Sequence, residues 1–249
     1  ILTELARKNK IVTQMGNQGG SNPLLDIVKK WVDSGVIGKV AKVQVWTNRP
    51  VWPQGVPLQA PDESKKPADL DWNLWLGPAK ETPYVPNMHP FNWRGWWDYG
   101  TGALGDMACH IMAPAFAVMG LGYPLSAQCS VATPYVRNWN KAYTPDSAPI
   151  ASHITLQFQG QPGKPNVTLH WMDGGIQPER PEELGPNERM GGDGENGVIF
   201  IGTKGKMMCG TYGVMPQLLP THLSKTTIVP ETVARVKNGE AGHYAAWVE

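Results

Sequence analysis

The sequence predicts an α+β fold built on a mainly antiparallel sheet, preceded by a short piece of a parallel α/β unit. Three observations carry this reading. Stretches near 125–136, 150–160, 166–173, 197–203 and 206–212 have strand character, and turn-rich linkers join them, notably GQPGKP at 160–165 and GTKGK at 202–206. Direct hairpin links favour antiparallel pairing. Residues 101–120, TGALGDMACHIMAPAFAVMG, form a helix of small and apolar residues and should be buried. The first twenty residues run helix, strand and Gly-rich turn, the order found at the end of a parallel α/β domain.

Taken in order, residues 1–9 place Leu2, Leu5 and Ala6 on one helical face, IVTQM at 11–15 reads as a short strand, and Gly16-Asn17-Gln18-Gly19-Gly20 turns the chain. Ser21 or Asn22 caps the next helix, Pro23 lies in its first turn, and Gly35 and Gly38 close it. In residues 39–49, Val43 and Val45 alternate with Lys42, Gln44 and Trp46, the pattern of a half-buried strand. Residues 50–100 show little periodicity beyond a helical turn or two at 69–77, and Pro and Trp dominate. A stretch so long without regular structure is usually functional or disordered, and its aromatic content argues against disorder. Pro114 should kink the 101–120 helix. Residues 174–196 read as a polar loop rich in Gly and Pro.

The chain has 249 residues, 41% of them hydrophobic, enough for a sizeable core. Its 22 basic and 21 acidic side chains nearly cancel, so the balance points to neither a nucleic-acid groove nor a polybasic membrane patch. No apolar run approaches the roughly 18 residues of a membrane span. Cys109, Cys129 and Cys209 form no CxxC pair and read as three free buried thiols. Because the chain opens at Ile1 inside a helical pattern, we expect it to be a piece of a longer protein. Of the 11 Trp, Trp31, Trp46 and Trp171 sit in patterned segments and should be core, whereas Trp72, Trp75, Trp93, Trp96 and Trp97 are candidates for the wall of a site.

The sharpest chemical feature is Gly105-Asp106-Met107-Ala108-Cys109-His110. Asp106 and His110 stand four apart on a helix and project from one face. On an apolar helix each needs a partner, and a carboxylate beside an imidazole can orient it for proton transfer. A purely structural Asp–His pair is the competing reading. Just upstream, His89-Pro90-Phe91-Asn92-Trp93-Arg94-Gly95-Trp96-Trp97-Asp98 supplies polar groups for hydroxyls and flat rings for a sugar's C–H face. A surface loop whose Trp residues close the core would have the same composition. His89, Asp98, Asp106 and His110 are acceptable metal ligands, but their spacing matches no metal motif, and none is assigned. His153 and His170 fall in strands; His170 could line the pocket or face a polar side of the sheet. No GxGxxG follows a strand, so the chain should not hold a dinucleotide by itself.

These segments resemble the Gfo/Idh/MocA family of sugar dehydrogenases and reductases. The resemblance runs through ILTELARKNKIVTQMGNQG, DWNLWLGP (71–78), HPFNWRGWWDYGTGALGDMACHI (89–111) and VIFIGTKGKM (198–207). It implies a large, open, mainly antiparallel sheet with helices on one face, spanning 21–249. It also implies that 1–20 is the remnant of a Rossmann domain that binds NAD or NADP in the full-length protein. Asp106 and His110 match the family's DxxxH helix beside the nicotinamide, with His110 as acid/base and Asp106 as substrate ligand or partner of that His. Trp93, Arg94, Trp97, Asp98, His89 and His170 are then the substrate-binding candidates, and Gly16, Asn17 and Gln18 the cofactor-binding ones. The family's E-K-P lysine would fall before Ile1, so this piece alone should be inactive.

The resemblance further implies a carbohydrate or cyclitol substrate and self-association through the sheet face, without nucleic acid or membrane. It leaves cytoplasm and periplasm both open. An NAD-dependent glycosidase working by transient oxidation and elimination, and a non-catalytic sugar-binding or assembly domain, are the alternatives.

Overall fold

The computed structural model describes residues 1–228 and 237–248. A seven-stranded sheet organises them, in the order β2-β5-β6-β1-β7-β8-β9. The strands are β1 (Val40–Trp46), β2 (Ser126–Val131), β5 (Ser152–Phe158), β6 (Val167–Met172), β7 (Gly197–Gly202), β8 (Lys206–Cys209) and β9 (Gln217–Leu219). A separate small hairpin joins β3 (Tyr135–Arg137) to β4 (Asn140–Lys141). Within the large sheet β1 and β6 run parallel and the other pairs antiparallel, so the mainly antiparallel expectation holds. Hairpin turns fell where the Gly- and Pro-containing linkers were. The parallel β1–β6 contact is a long-range pairing that no local pattern encodes.

Helices α2 (Leu24–Asp33), α4 (Gly102–Ile111) and α5 (Ala113–Met119) cover one face of the sheet. Val43 and Val45 of β1, Leu169 and Trp171 of β6, and Val198 and Phe200 of β7 are each fully buried against Val28, Ile111 and Ala115. The alternation read from residues 39–49 is therefore real: Val43 and Val45 face the helices, and Trp46 faces the other side. The helix predicted over 101–120 is two helices meeting at 47°, with Pro114 in the first turn of α5. Proline lacks the N–H that would continue the ladder, which puts the bend there.

On the opposite face the sheet divides. The 174–196 loop covers the β1, β7 and β8 end, where Leu184 and Met190 meet Trp46, Met172, Ile199 and Met208. At the β2, β5 and β6 end the rows Ser126–Gln157–Thr168 and Gln128–Thr155–His170 pair across strands, partly open to solvent. The Pro- and Trp-rich stretch is ordered around its own small core of Trp72, Leu76, Tyr84, Met88 and Trp96, with α3 (Trp72–Leu76) capped by Asp71.

Two expectations need correction. Residues 11–15 form no strand; Ile11, Val12 and Met15 are exposed, and among the described residues no strand pairs with them. The cysteines are free, but only Cys209 is buried; Cys109 lies on the open side of α4, and Cys129 on an edge strand with every residue exposed. Helix α1 (Leu2–Asn9) likewise buries none of its residues. The remaining helices are α6 (Leu223–Thr226) and α7 (Gly239–Val248).

Candidate active site at the open face of α4

Helix α4 is apolar because most of its surface is core: Ala103, Met107 and Ile111 are buried. Its other side is open, with Gly105 and Cys109 exposed and Asp106 and His110 half-buried at the margin. The four-residue spacing does put Asp106 and His110 on one face, but each has its own partner.

Asp106 belongs to an arginine. Arg94 Nε donates to Asp106 Oδ1 at 2.8 Å, and Arg94 Nη1 donates to the Phe91 carbonyl at 2.9 Å. The guanidinium lies 4.5 Å from the Phe91 ring centroid, 4.6 Å from that of Trp93 and 5.8 Å from that of Trp52. Arg94 is thus clamped between aromatic faces and a carboxylate, an arrangement that fixes a planar cation well. It sits on a 3-10 turn, Asn92–Gly95, which folds back toward the start of α4. Gly100 permits that return: a Cβ there would come within 2.6 Å of the Arg94 backbone.

His110 belongs to a second group. Its Nδ1 lies 3.0 Å from Asn17 Oδ1 and in contact with the Tyr212 hydroxyl, which itself donates to Asn17 Oδ1. Asn17 Nδ2 donates to the Cys109 carbonyl at 3.2 Å. Helix α7 braces the turn from behind: His243 Nδ1 meets Ser21 Oγ at 2.9 Å, and Gln14 donates to the His243 carbonyl at 3.0 Å. Burial is the main reason the Tyr212 phenol is pushed up to about 12, with Cys109 and Glu240 adding to it. Tyr212 therefore stays protonated across the physiological range.

Beside the Arg94 turn is a hollow of about 500 Å³ walled by Trp75, Trp93 and Tyr99, with Leu76 at its base and Asp98 at its edge. His89 packs its ring edge-on against Trp75, 6.0 Å between centroids. Flat apolar walls with one carboxylate suit a polyol whose ring has an apolar face and hydroxyl edges. A larger surface hollow, about 820 Å³, is lined by residues between Glu63 and Pro83. Two of its acids are engaged, Glu63 accepting from the Tyr84 N–H and Asp71 capping α3, and we place no chemistry there.

The structure thus links Asp106, Arg94, Trp93, Asp98 and His89 through successive contacts, and brings Asn17, from the N-terminal turn, to His110 on α4. Trp97 is half-exposed, its backbone N–H donating to the Asp146 carbonyl at 2.9 Å. Gly16 and Gln18 are exposed beside Asn17. His170 does not join the site. Odd-numbered β6 residues face α4 and α5, so His170 points to the far side of the sheet, where its Nδ1 lies 3.0 Å from His153 Nε2 and 3.3 Å from Thr155 Oγ1. Trp72 and Trp96 close the small core instead of walling the site. Among the described residues, no three His, Cys, Asp or Glu side chains gather as a metal site. Tyr212 was missed. It lies in a Thr-Tyr-Gly turn after β8, with φ 55°, and nothing in the local sequence tells that its hydroxyl returns to α4.

His170 yields a stability prediction. Its basicity is lowered, chiefly because burial disfavours the charged ring and then because Lys42 and His153 face it. The folded chain therefore binds this proton less readily than the unfolded chain. The contribution is complete above about pH 6.5, the ordinary value, and is lost as pH falls through the lower folded value. In thermal melts followed against pH, His170→Gln should show a smaller loss of stability over that acid window than the parent chain.

Residues 22–140 match the Gfo/Idh/MocA profile described as "Oxidoreductase family, C-terminal alpha/beta domain". By this match, residues 22–140 form a domain of the Gfo/Idh/MocA oxidoreductase type. No curated protein matches it by sequence. Among solved structures, an oxidoreductase from Thermotoga maritima is 12% identical with a TM-score of 0.50, covering 99% of this chain and 54% of its own. An inositol dehydrogenase homologue from Azotobacter vinelandii, complexed with NADH and myo-inositol, is 13% identical with a TM-score of 0.42, covering 99% and 54%. A super-repressor mutant of Gal80p from Saccharomyces cerevisiae is 12% identical with a TM-score of 0.44, covering 83% and 43%. The chain thus spans about half the length of the structures it matches.

Proposed function

We propose that this chain is the substrate-binding and catalytic half of an NAD(P)-dependent oxidoreductase acting on a hydroxyl or keto group of a sugar or cyclitol. The observation that carries the reading is the open margin of α4, where Asp106 and His110 are each held by a separate partner and where Trp93, a wall of the aromatic hollow, stacks on the arginine that holds Asp106. A bound nicotinamide would supply the hydride acceptor or donor. The residues present fit only that end of a dinucleotide: Asn17 reaches His110, while a phosphate-cradling Gly loop is not among them. Residues 1–20 are then the end of the dinucleotide-binding domain, 21–249 the substrate domain, and the cofactor's phosphates are held by residues outside this chain.

In this reading His110 exchanges a proton with the reacting hydroxyl, the usual role of a half-buried imidazole in such a site. Arg94 and Asp106 form a fixed polar wall for neighbouring hydroxyls, and Trp93, with Trp75 and Tyr99, receives the ring's C–H face. The ion pair is about three-quarters buried on both sides, so its groups present a defined geometry to a ligand. Assaying the longer protein with a panel of sugars and cyclitols, with either nicotinamide cofactor, tests the proposal. Substrate-dependent reduction of the cofactor supports it. Release of free sugar from a glycoside with no net reduction would replace it with the redox-assisted glycosidase.

Self-association is the second part of the proposal. The open end of the sheet presents Gln128, Thr155, Gln157 and Thr168 in paired rows, with Thr168 donating to Gln157 at 2.9 Å. We assign this face to contact with a second copy. Thr155→Arg combined with Gln157→Arg should halve the mass measured by light scattering. A monomeric parent protein would remove the assignment.

A further inference from the structure

We propose that Asn17 and Tyr212 fix the tautomer of His110, placing its ring hydrogen on Nδ1 and leaving Nε2 as the basic nitrogen that faces the substrate. This deepens the oxidoreductase reading and rests on it for the role of Nε2. Asn17 and Tyr212 are positioning residues.

The argument begins with a helix end. The last carbonyls of a helix lack intrahelical donors, and α4 stops at Ile111. Asn17 Nδ2 donates to one of them, the Cys109 carbonyl. That bond decides which way the amide faces, because the reversed amide would set oxygen against oxygen. Its Oδ1 therefore points at His110. An amide oxygen only accepts, so His110 Nδ1, 3.0 Å away, carries the hydrogen. The neutral ring then has its lone pair on Nε2. Among the described residues the structure gives Nε2 no protein partner, so that nitrogen is available to a ligand.

Tyr212 completes the device. Its hydroxyl donates to Asn17 Oδ1 and offers a lone pair to His110 Nδ1–H. Three features hold it there. The turn is pinned by the Thr211 N–H donating to Asp193 Oδ1 at 2.7 Å. Tyr212 accepts the left-handed conformation, φ 55°. Its ring lies so close over Gly19 that a Cβ at that position would come within 2.1 Å. The remaining charged or titratable groups near the trio are Cys109, exposed on α4, and Glu240 on α7. Asp106 faces Arg94, so the orienting group that the DxxxH spacing suggested is replaced by a neutral amide and a phenol.

The test is nuclear magnetic resonance of the chain with isotope-labelled histidine, where long-range ring couplings report which nitrogen carries hydrogen. With the ring neutral, the parent chain should show hydrogen on Nδ1. Asn17→Leu should convert His110 toward the Nε2–H form. Asn17→Asp, which keeps an acceptor, should restore the Nδ1–H form, with the His153 and His170 signals unmoved as the check on folding. Gly19→Ala, which displaces the Tyr212 ring, should act in the direction of Asn17→Leu. In the longer protein, Asn17→Leu should lower kcat between about 10- and 10⁴-fold, shift the pH profile and leave KM little changed. An Nε2–H form in the parent chain overturns the proposal, as does an unchanged tautomer in Asn17→Leu. If His110 holds hydrogen on Nδ1 while His110→Ala turns over normally, the positioning stands and the catalytic reading fails.

Discussion

Replacing His110 with alanine should lower turnover of the longer protein by about 10²–10⁴-fold while nicotinamide dinucleotide binding survives. The split follows from the geometry. His110 stands at the margin of α4 with one nitrogen committed to Asn17 and Tyr212, and its removal takes away the group we assign to the hydroxyl proton. It leaves the buried side of α4 intact, since Met107 and Ile111 make the core contacts. Folding should therefore be little affected, and melting temperature measured alongside kinetics will show whether the loss is chemical. A small exogenous imidazole should restore part of the rate. Equal losses of cofactor binding and turnover would mean that the residue supports the fold instead of the reaction.

Trp171→Ala should destabilise the chain by about 3–5 kcal/mol, read as a lower midpoint in urea unfolding. Trp171 is fully buried in the interior strand β6, paired with Val45 on one side and Ile154 on the other. Truncation leaves a void the size of an indole at the crossing of sheet and helices. It also removes a donor: Trp171 Nε1 gives a 2.9 Å bond to Asp173 Oδ2. Asp173 is itself almost fully buried, and burial pushes its carboxyl up against the pull of its hydrogen bonds from Trp171 and Ser152. Losing one of those bonds should leave that acid still harder to ionise. Trp171→Phe, which fills much of the space but cannot donate, should fall between the parent chain and Trp171→Ala.

Much of the fold was legible in the sequence because local signals agree with the packing. The alternation at 39–49, the hairpin linkers at 160–165 and 202–206, and Pro114 all act where they stand. The expected strand at 11–15 did not form, since a strand exists only through its neighbour and the apolar pattern cannot say whether one is present. The pairing of β1 with β6 joins segments more than a hundred residues apart and left no trace nearby.

The site divides in the same way. The spacing of Asp106 and His110 on one face was readable, because helical periodicity fixes it. Their partners were not. Arg94 reaches Asp106 through a glycine-permitted turn, and Tyr212 reaches His110 from beyond β8. His170 shows the limit from the other side: a histidine in a strand is compatible with either face, and the register puts it away from α4.

The most direct measurement is a structure of the longer protein with a nicotinamide cofactor and a polyol substrate or product. A ligand hydroxyl should lie within hydrogen-bond distance of His110 Nε2, about 2.6–3.2 Å, with the sugar ring over Trp93 and the nicotinamide above the open side of α4. A polyol seated elsewhere, with His110 Nε2 facing solvent or protein in the ternary complex, would contradict the account.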